Sequence, residues 1–77
     1  MKDLLEFLAR GLVEEPDAVE VTEIEEIEGD LVLELEVAEG DLGRVIGRSG
    51  RVANALRTVM KAAATRADKR VLVDIID

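Results

Sequence analysis

Cysteine, histidine, tryptophan and tyrosine are absent from this 77-residue sequence, and it holds a single phenylalanine, Phe7, and a single proline, Pro16. Without cysteine there is no disulfide framework and no zinc-thiolate site to staple the fold. The missing histidine removes the usual neutral-pH base and the commonest transition-metal ligand, and with cysteine goes the most reactive nucleophile. Ser49 therefore has no histidine to activate it, and an enzyme is not expected; nor is a cofactor or a bound metal. Glutamates alternating along the first half read as a solvated strand face rather than a site for a hard cation. Long apolar runs are also missing. Asp3, Glu6 and Arg10 interrupt the amino-terminal stretch, and nothing approaches the ~18 apolar residues of a membrane span, so a soluble cytoplasmic protein is expected. A chain of this length makes one domain, residues 1–77, with a core thin enough that a partner's surface would help it.

The net charge of −8 argues at first against a polyanionic ligand. Its distribution argues the other way. Residues 1–43 carry 15 acids against Lys2 and Arg10, whereas residues 44–70 carry eight bases against Asp68 alone. Positive potential is thus confined to a 27-residue stretch carrying +7, and such asymmetry marks an interaction surface.

Met1, Leu4, Leu5, Leu8 and Leu12 recur at three- and four-residue spacing, predicting a helix over 2–14 that ends before Pro16. Phe7 falls off that stripe and is read as edge packing in preference to a partner contact. From Val19 the pattern turns to β-branched residues separated by acids, but its parity switches between Val21 and Ile24 and again at Ile27. A bulge or an early strand end is expected there. Gly29-Asp30 supplies turn chemistry, and Leu31, Leu33, Leu35 and Val37 alternate with Val32, Glu34 and Glu36 in a clear second strand. A short helix over 41–46 with Asp41 as its cap follows, then a loop. Val52, Leu56, Val59 and Ala63 predict the apolar stripe of a long helix over 51–66, with Arg51, Asn54, Arg57, Thr58, Lys61 and Thr65 on its polar face. Arg70–Ile76 is the last strand.

The order is α, β, β, α, α, β, an α+β fold with three helices packed on a three-stranded mixed sheet. The third strand is expected beside the first and parallel to it, reached by a helical crossover.

Between the last two helices stands Val45-Ile46-Gly47-Arg48-Ser49-Gly50-Arg51. Glycines at 47 and 50 allow backbone angles closed to other residues and let a phosphodiester approach the main chain. Unpaired N–H groups opening the following helix favour an anion, and Arg44, Arg48 and Arg51 surround it with mobile positive charge. Neither GxxxxGK[ST] nor GxGxxG is present, so the nucleotide-binding loops of larger sheets do not apply.

The run Gly43 to Arg51 resembles the signature of KH domains, whose GxxG loop clamps the backbone of about four nucleotides. Together with the opening helix, the Glu-Pro-Asp-Ala-Val-Glu-Val stretch at 15–21, Arg57 to Ala64 and the closing strand, it makes nearly the whole chain similar to the KhpA family of single-KH bacterial proteins. That resemblance implies a type II KH topology and low-specificity binding of single-stranded RNA, in the manner of a post-transcriptional regulator or RNA chaperone. It further implies a homodimer, or a heterodimer with a larger Jag-type KH protein, KhpB. Carried onto this sequence, the loop is Gly47, Arg48, Ser49 and Gly50, with Val45 and Ile46 as the aliphatic groove beside it and Arg44 and Arg51 flanking it. Recognition by aromatic stacking, as in RRM and OB modules, is excluded by the lone Phe7. The alternative is a protein-interaction module in which the glycines only shape a turn. For it speak Ala55, Met60, Ala62, Ala63 and Ala64, a surplus of small side chains that would let another helix approach.

Overall fold

A computed structural model describes residues 1–25 and 30–77. Helix α1 spans Lys2–Arg10, strand β1 Glu20–Glu25, strand β2 Asp30–Glu36, helix α2 Leu42–Ile46, helix α3 Arg51–Arg66 and strand β3 Arg70–Ile75. Single 3₁₀ turns at Pro16–Ala18, Glu39–Asp41 and Arg48–Gly50 join them.

Helix α1 stops four residues short of the expected end. Gly11 N–H still bonds Phe7 O, but Leu12 N–H tightens onto Ala9 O, and the amides of Glu14 and Glu15 turn to the side chain of Asp41. A long-range acceptor has thus replaced the helix carbonyls. Leu5 and Ala9 face the core, while Phe7 is 75 % exposed, more than the expected edge packing would leave it.

In β2, Leu31, Leu33 and Leu35 are buried and their neighbours are not, as the alternation predicted. Strand β1 pairs with it antiparallel in unbroken register from Glu20↔Glu36 to Glu25↔Leu31, so no bulge interrupts it. The parity break has another cause: Val21 points inward and Ile24 outward, where Ile24 aligns with Val32 and, across the sheet, with Leu72. The expected turn at Gly29 and the second parity switch at Ile27 lie outside the described residues.

Strand β3 lies beside β2, parallel to it from Asp30↔Arg70 to Leu35↔Ile75, and the sheet order is β1-β2-β3. This corrects the expectation that β3 would join β1. The crossover through α2 and α3 returns to the neighbouring edge of the strand it left, and β2, which buries Leu31, Leu33 and Leu35, thereby has both edges hydrogen-bonded.

The core forms where Leu5 and Ala9 of α1 and Leu56 and Met60 of α3 meet Val21, Leu33, Leu35 and Val73 of the sheet. Helix α3 has the expected bounds but a different rotation. Its buried residues are Ala53, Leu56, Met60 and Ala64, one position round from the predicted stripe. Small side chains at 53 and 64 let the helix settle directly onto the layer beneath it. Val59 is left 44 % exposed in consequence, and Val52 and Ala63 are half-buried. Ala64 is a core residue and not part of any free surface.

Candidate nucleic-acid interface

Helix α2 has five residues, too few to be stable alone, and it is held at both ends. Val45 is its inward anchor, fully buried. At its start Asp41 occupies the cap position but makes no cap hydrogen bond. Its carboxylate instead accepts Glu14 N–H at Oδ1 and Glu15 N–H at Oδ2, both at 3.0 Å. Arg44 Nε stands 3.3 Å from Asp41 Oδ1, and another guanidinium nitrogen pairs with the Glu14 carboxylate. A buried carboxylate is tolerable only when so satisfied, and Arg44 also offsets the clustering of Glu14 with Asp41.

Gly47 N–H closes α2 on Gly43 O at 2.9 Å. Gly47 then takes φ 75°, ψ 171°, a region open essentially to glycine alone. A Cβ at this position would lie 2.5 Å from Val52 Cγ2 and 2.8 Å from Val52 N, so the loop passes directly against the first turn of α3. Ser49, at φ 56°, and Gly50, at φ 75°, are both left-handed. Their succession turns the chain through a single 3₁₀ turn, closed by Gly50 N–H on Gly47 O at 3.1 Å, into a helix of 16 residues. Arg48 and Ser49 project into solvent at the turn, and Arg51 is exposed on the first residue of α3.

Of the eight residues expected at the site, six border the turn with free surface: Ile46, Gly47, Arg48, Ser49, Gly50 and Arg51. Two do other work in the free chain. Val45 points into the protein, fully buried on the side of α2 opposite the exposed Gly43, and cannot line an open groove. Arg44 is not a mobile charge, since two carboxylates hold it. By contrast, among the described residues neither Arg48 nor Arg51 has a carboxylate partner. Exposed Asn54, Thr58 and Lys61 continue the polar face along α3, and Arg57 is tied to β3 through Nε and Val73 O at 3.3 Å. Sequence reasoning missed the Asp41 bonds: an acid opening a short helix reads as a cap, and partners 27 and 26 residues away leave no periodic trace.

Acidic groups collect elsewhere. Glu20, Glu34, Glu36 and Asp74 share the outer face of the sheet, opposite the layer that carries α3. Between them and the Asp30–Arg70 ion pair, whose Nε to Oδ1 distance is 3.0 Å, runs the apolar row of Ile24, Val32 and Leu72. Among the described residues no helix is long and apolar enough to cross a membrane, and no cluster of acids could hold a metal ion.

A second surface feature adjoins the site. Leu8 and Leu12 from the α1 side and Val52, Ala55, Leu56 and Val59 from α3 line a shallow, almost wholly apolar groove.

The chain is 54 % identical over 76 residues, 99 % of its length and all of the relative's, to RNA-binding protein KhpA of Clostridium acetobutylicum. It is 50 % identical to the protein of that name from Caldanaerobacter subterraneus, over 99 % of this chain and all of the relative. For Aquifex aeolicus KhpA the figure is 46 %, over all of this chain and 96 % of the relative. The family model described as the KH domain of KhpA and KhpB matches residues 2–75, which covers the fold from α1 to the end of β3 and includes the glycine turn. On this match, and on the arrangement of helices and mixed sheet around that turn, the chain belongs to the KhpA/KhpB KH-domain family.

Proposed function

We propose that this protein binds single-stranded RNA with low sequence specificity, gripping the phosphate backbone at Gly47-Arg48-Ser49-Gly50 and acting on RNA in the cytoplasm after transcription. The observation that carries this reading is the turn itself. Three positive-φ residues within four positions, Gly47, Ser49 and Gly50, bring the chain to the amino end of α3 with Arg48 and Arg51 exposed beside it and, among the described residues, without a carboxylate partner. Backbone N–H groups at such an end and two free guanidinium groups suit a phosphodiester, and the absence of Cβ atoms leaves it room. Ile46 and Val52, half-buried on either side, offer aliphatic surface to the bases. Few side chains are placed to read base edges, so affinity should come mainly from phosphate.

Replacing Arg48 and Ser49 together with Asp tests the site. Binding to a short single-stranded RNA should be abolished with the thermal midpoint nearly unchanged, because both side chains are exposed. Equal affinity in the double variant would end the proposal. With about three phosphates neutralised, log affinity should fall against log salt with a slope near −2, from roughly −0.7 per contact.

The apolar groove favours a second role that coexists with the first. Leu8, Leu12, Ala55 and Val59 form a surface on which a second copy could lay the same two helices, small Ala55 allowing close approach. A twofold arrangement would bury both grooves with one contact. The same face would accept the related KH domain of a KhpB-type protein as an alternative partner.

A further inference from the structure

Among the described residues Asp41 is the one buried polar or charged residue, 3 % exposed, and its bonds do not serve the helix it precedes. Both oxygens reach back 27 and 26 residues to the amides of Glu14 and Glu15. Those two residues directly precede the Pro16–Ala18 turn that delivers the chain to β1, and Asp41 directly precedes the short helix that ends at Gly47. The carboxylate is therefore a tie between the linker after α1 and the helix that carries the glycine turn. Val45 fixes the inward side of that helix, and among the described residues the other polar side-chain bonds at its start are those of Arg44, which is half-exposed and pairs with Asp41 itself and with the Glu14 carboxylate.

From this geometry we infer that Asp41 is the positioning residue of the phosphate loop. Its two N–H bonds set where α2 begins, and through five residues of helix they set where Gly47 meets Val52 and where Arg48 is presented. Arg44 completes the tie by compensating the buried charge, which leaves phosphate contact to Arg48 and Arg51. The inference rests on the RNA-binding reading given above. It goes beyond it in assigning affinity to a buried residue that touches no ligand.

A titration of short mixed-sequence RNA, paired with amide spectra of the free protein, tests it in three variants. Asp41→Asn keeps one acceptor oxygen and Asp41→Ala keeps none, while Val73→Ala loosens the core away from the tie. At a temperature where every variant is fully folded, Asp41→Ala should lose about tenfold in affinity, or about 1.4 kcal/mol, with Asp41→Asn between it and the parent. The amide resonances of Gly47, Ser49 and Gly50 should shift in the same order. Val73→Ala, destabilised by at least as much, should keep parental affinity and loop resonances. Should Asp41→Ala fail to fold, Asp41→Asn alone carries the comparison. Asp41 variants whose affinity and loop resonances match those of Val73→Ala would overturn the inference. If the parent binds no RNA, the functional reading falls by itself, and the loop resonances still decide whether Asp41 sets the turn.

Discussion

Replacing Gly47 by alanine should be far more damaging than the same change at Gly50, although both glycines have φ 75°. At Gly50 the backbone is left-handed, ψ is 14°, and a Cβ would meet nothing within 4 Å. Only the left-handed penalty applies there, about 1 kcal/mol. At Gly47 the ψ of 171° places the residue in a region that costs a side chain roughly 1–3 kcal/mol. The new Cβ would also stand 2.5 Å from Val52 Cγ2, 2.8 Å from Val52 N and 2.9 Å from Val52 Cβ. A rotamer change relieves the first contact, but a backbone nitrogen in the first turn of α3 moves only with the helix. Overpacking of this kind adds about 1–3 kcal/mol, for a total near 2–6 kcal/mol. A domain of this size has roughly 4–12 kcal/mol to lose. Thermal unfolding followed by circular dichroism should show Gly50→Ala lower by about 4–8 °C and Gly47→Ala lower by at least twice as much. Adding Val52→Ala to Gly47→Ala should recover only part of the loss, because the contacts to Val52 N and Cβ remain. Equal midpoints for the two glycine variants, or complete recovery in the double variant, would refute the reasoning.

Two further outcomes follow from the surface. Arg51→Ala should make the salt dependence of RNA binding shallower by about 0.7, the value of one released contact. Arg44→Ala should leave that slope alone and lower the thermal midpoint, since the guanidinium is already paired with Glu14 and Asp41; fluorescence titrations across a salt series separate the two. Val59→Glu should abolish self-association in sedimentation velocity without loss of fold, because Val59 is 44 % exposed and lines the apolar groove; a dimer of undiminished strength would remove that groove from the interface.

Where a pattern is local, the amino-acid sequence showed it plainly. The alternation of Leu31, Leu33 and Leu35 marked β2, and the bounds of α3 agree at both ends. Gly47 and Gly50 were legible as special backbone positions because few other residues could serve there. What escaped was relative placement. The rotation of α3 by one residue cannot be chosen from its own sequence when Val52, Val59 and Ala63 are as apolar as Ala53, Met60 and Ala64; the layer beneath decides. The end of α1 and the true partners of Asp41 are the same omission seen twice, since one contact between residues far apart in sequence accounts for both. Strand order escaped for a related reason, as β3 carries a pattern that either neighbour would accept.

The separation of charge between the outer sheet face and the helix layer has a kinetic meaning. Glu20, Glu34, Glu36 and Asp74 give one side of the molecule a field that turns a polyanion away, and Arg48, Arg51 and Lys61 give the other a field that draws it in. On the RNA-binding reading proposed above, this charge separation would turn the protein as a strand approaches, so that collisions arrive preferentially at the glycine turn. An acidic protein can then capture RNA quickly and in one orientation without holding it tightly, releasing it as readily when salt or a competing strand weakens the few contacts that remain.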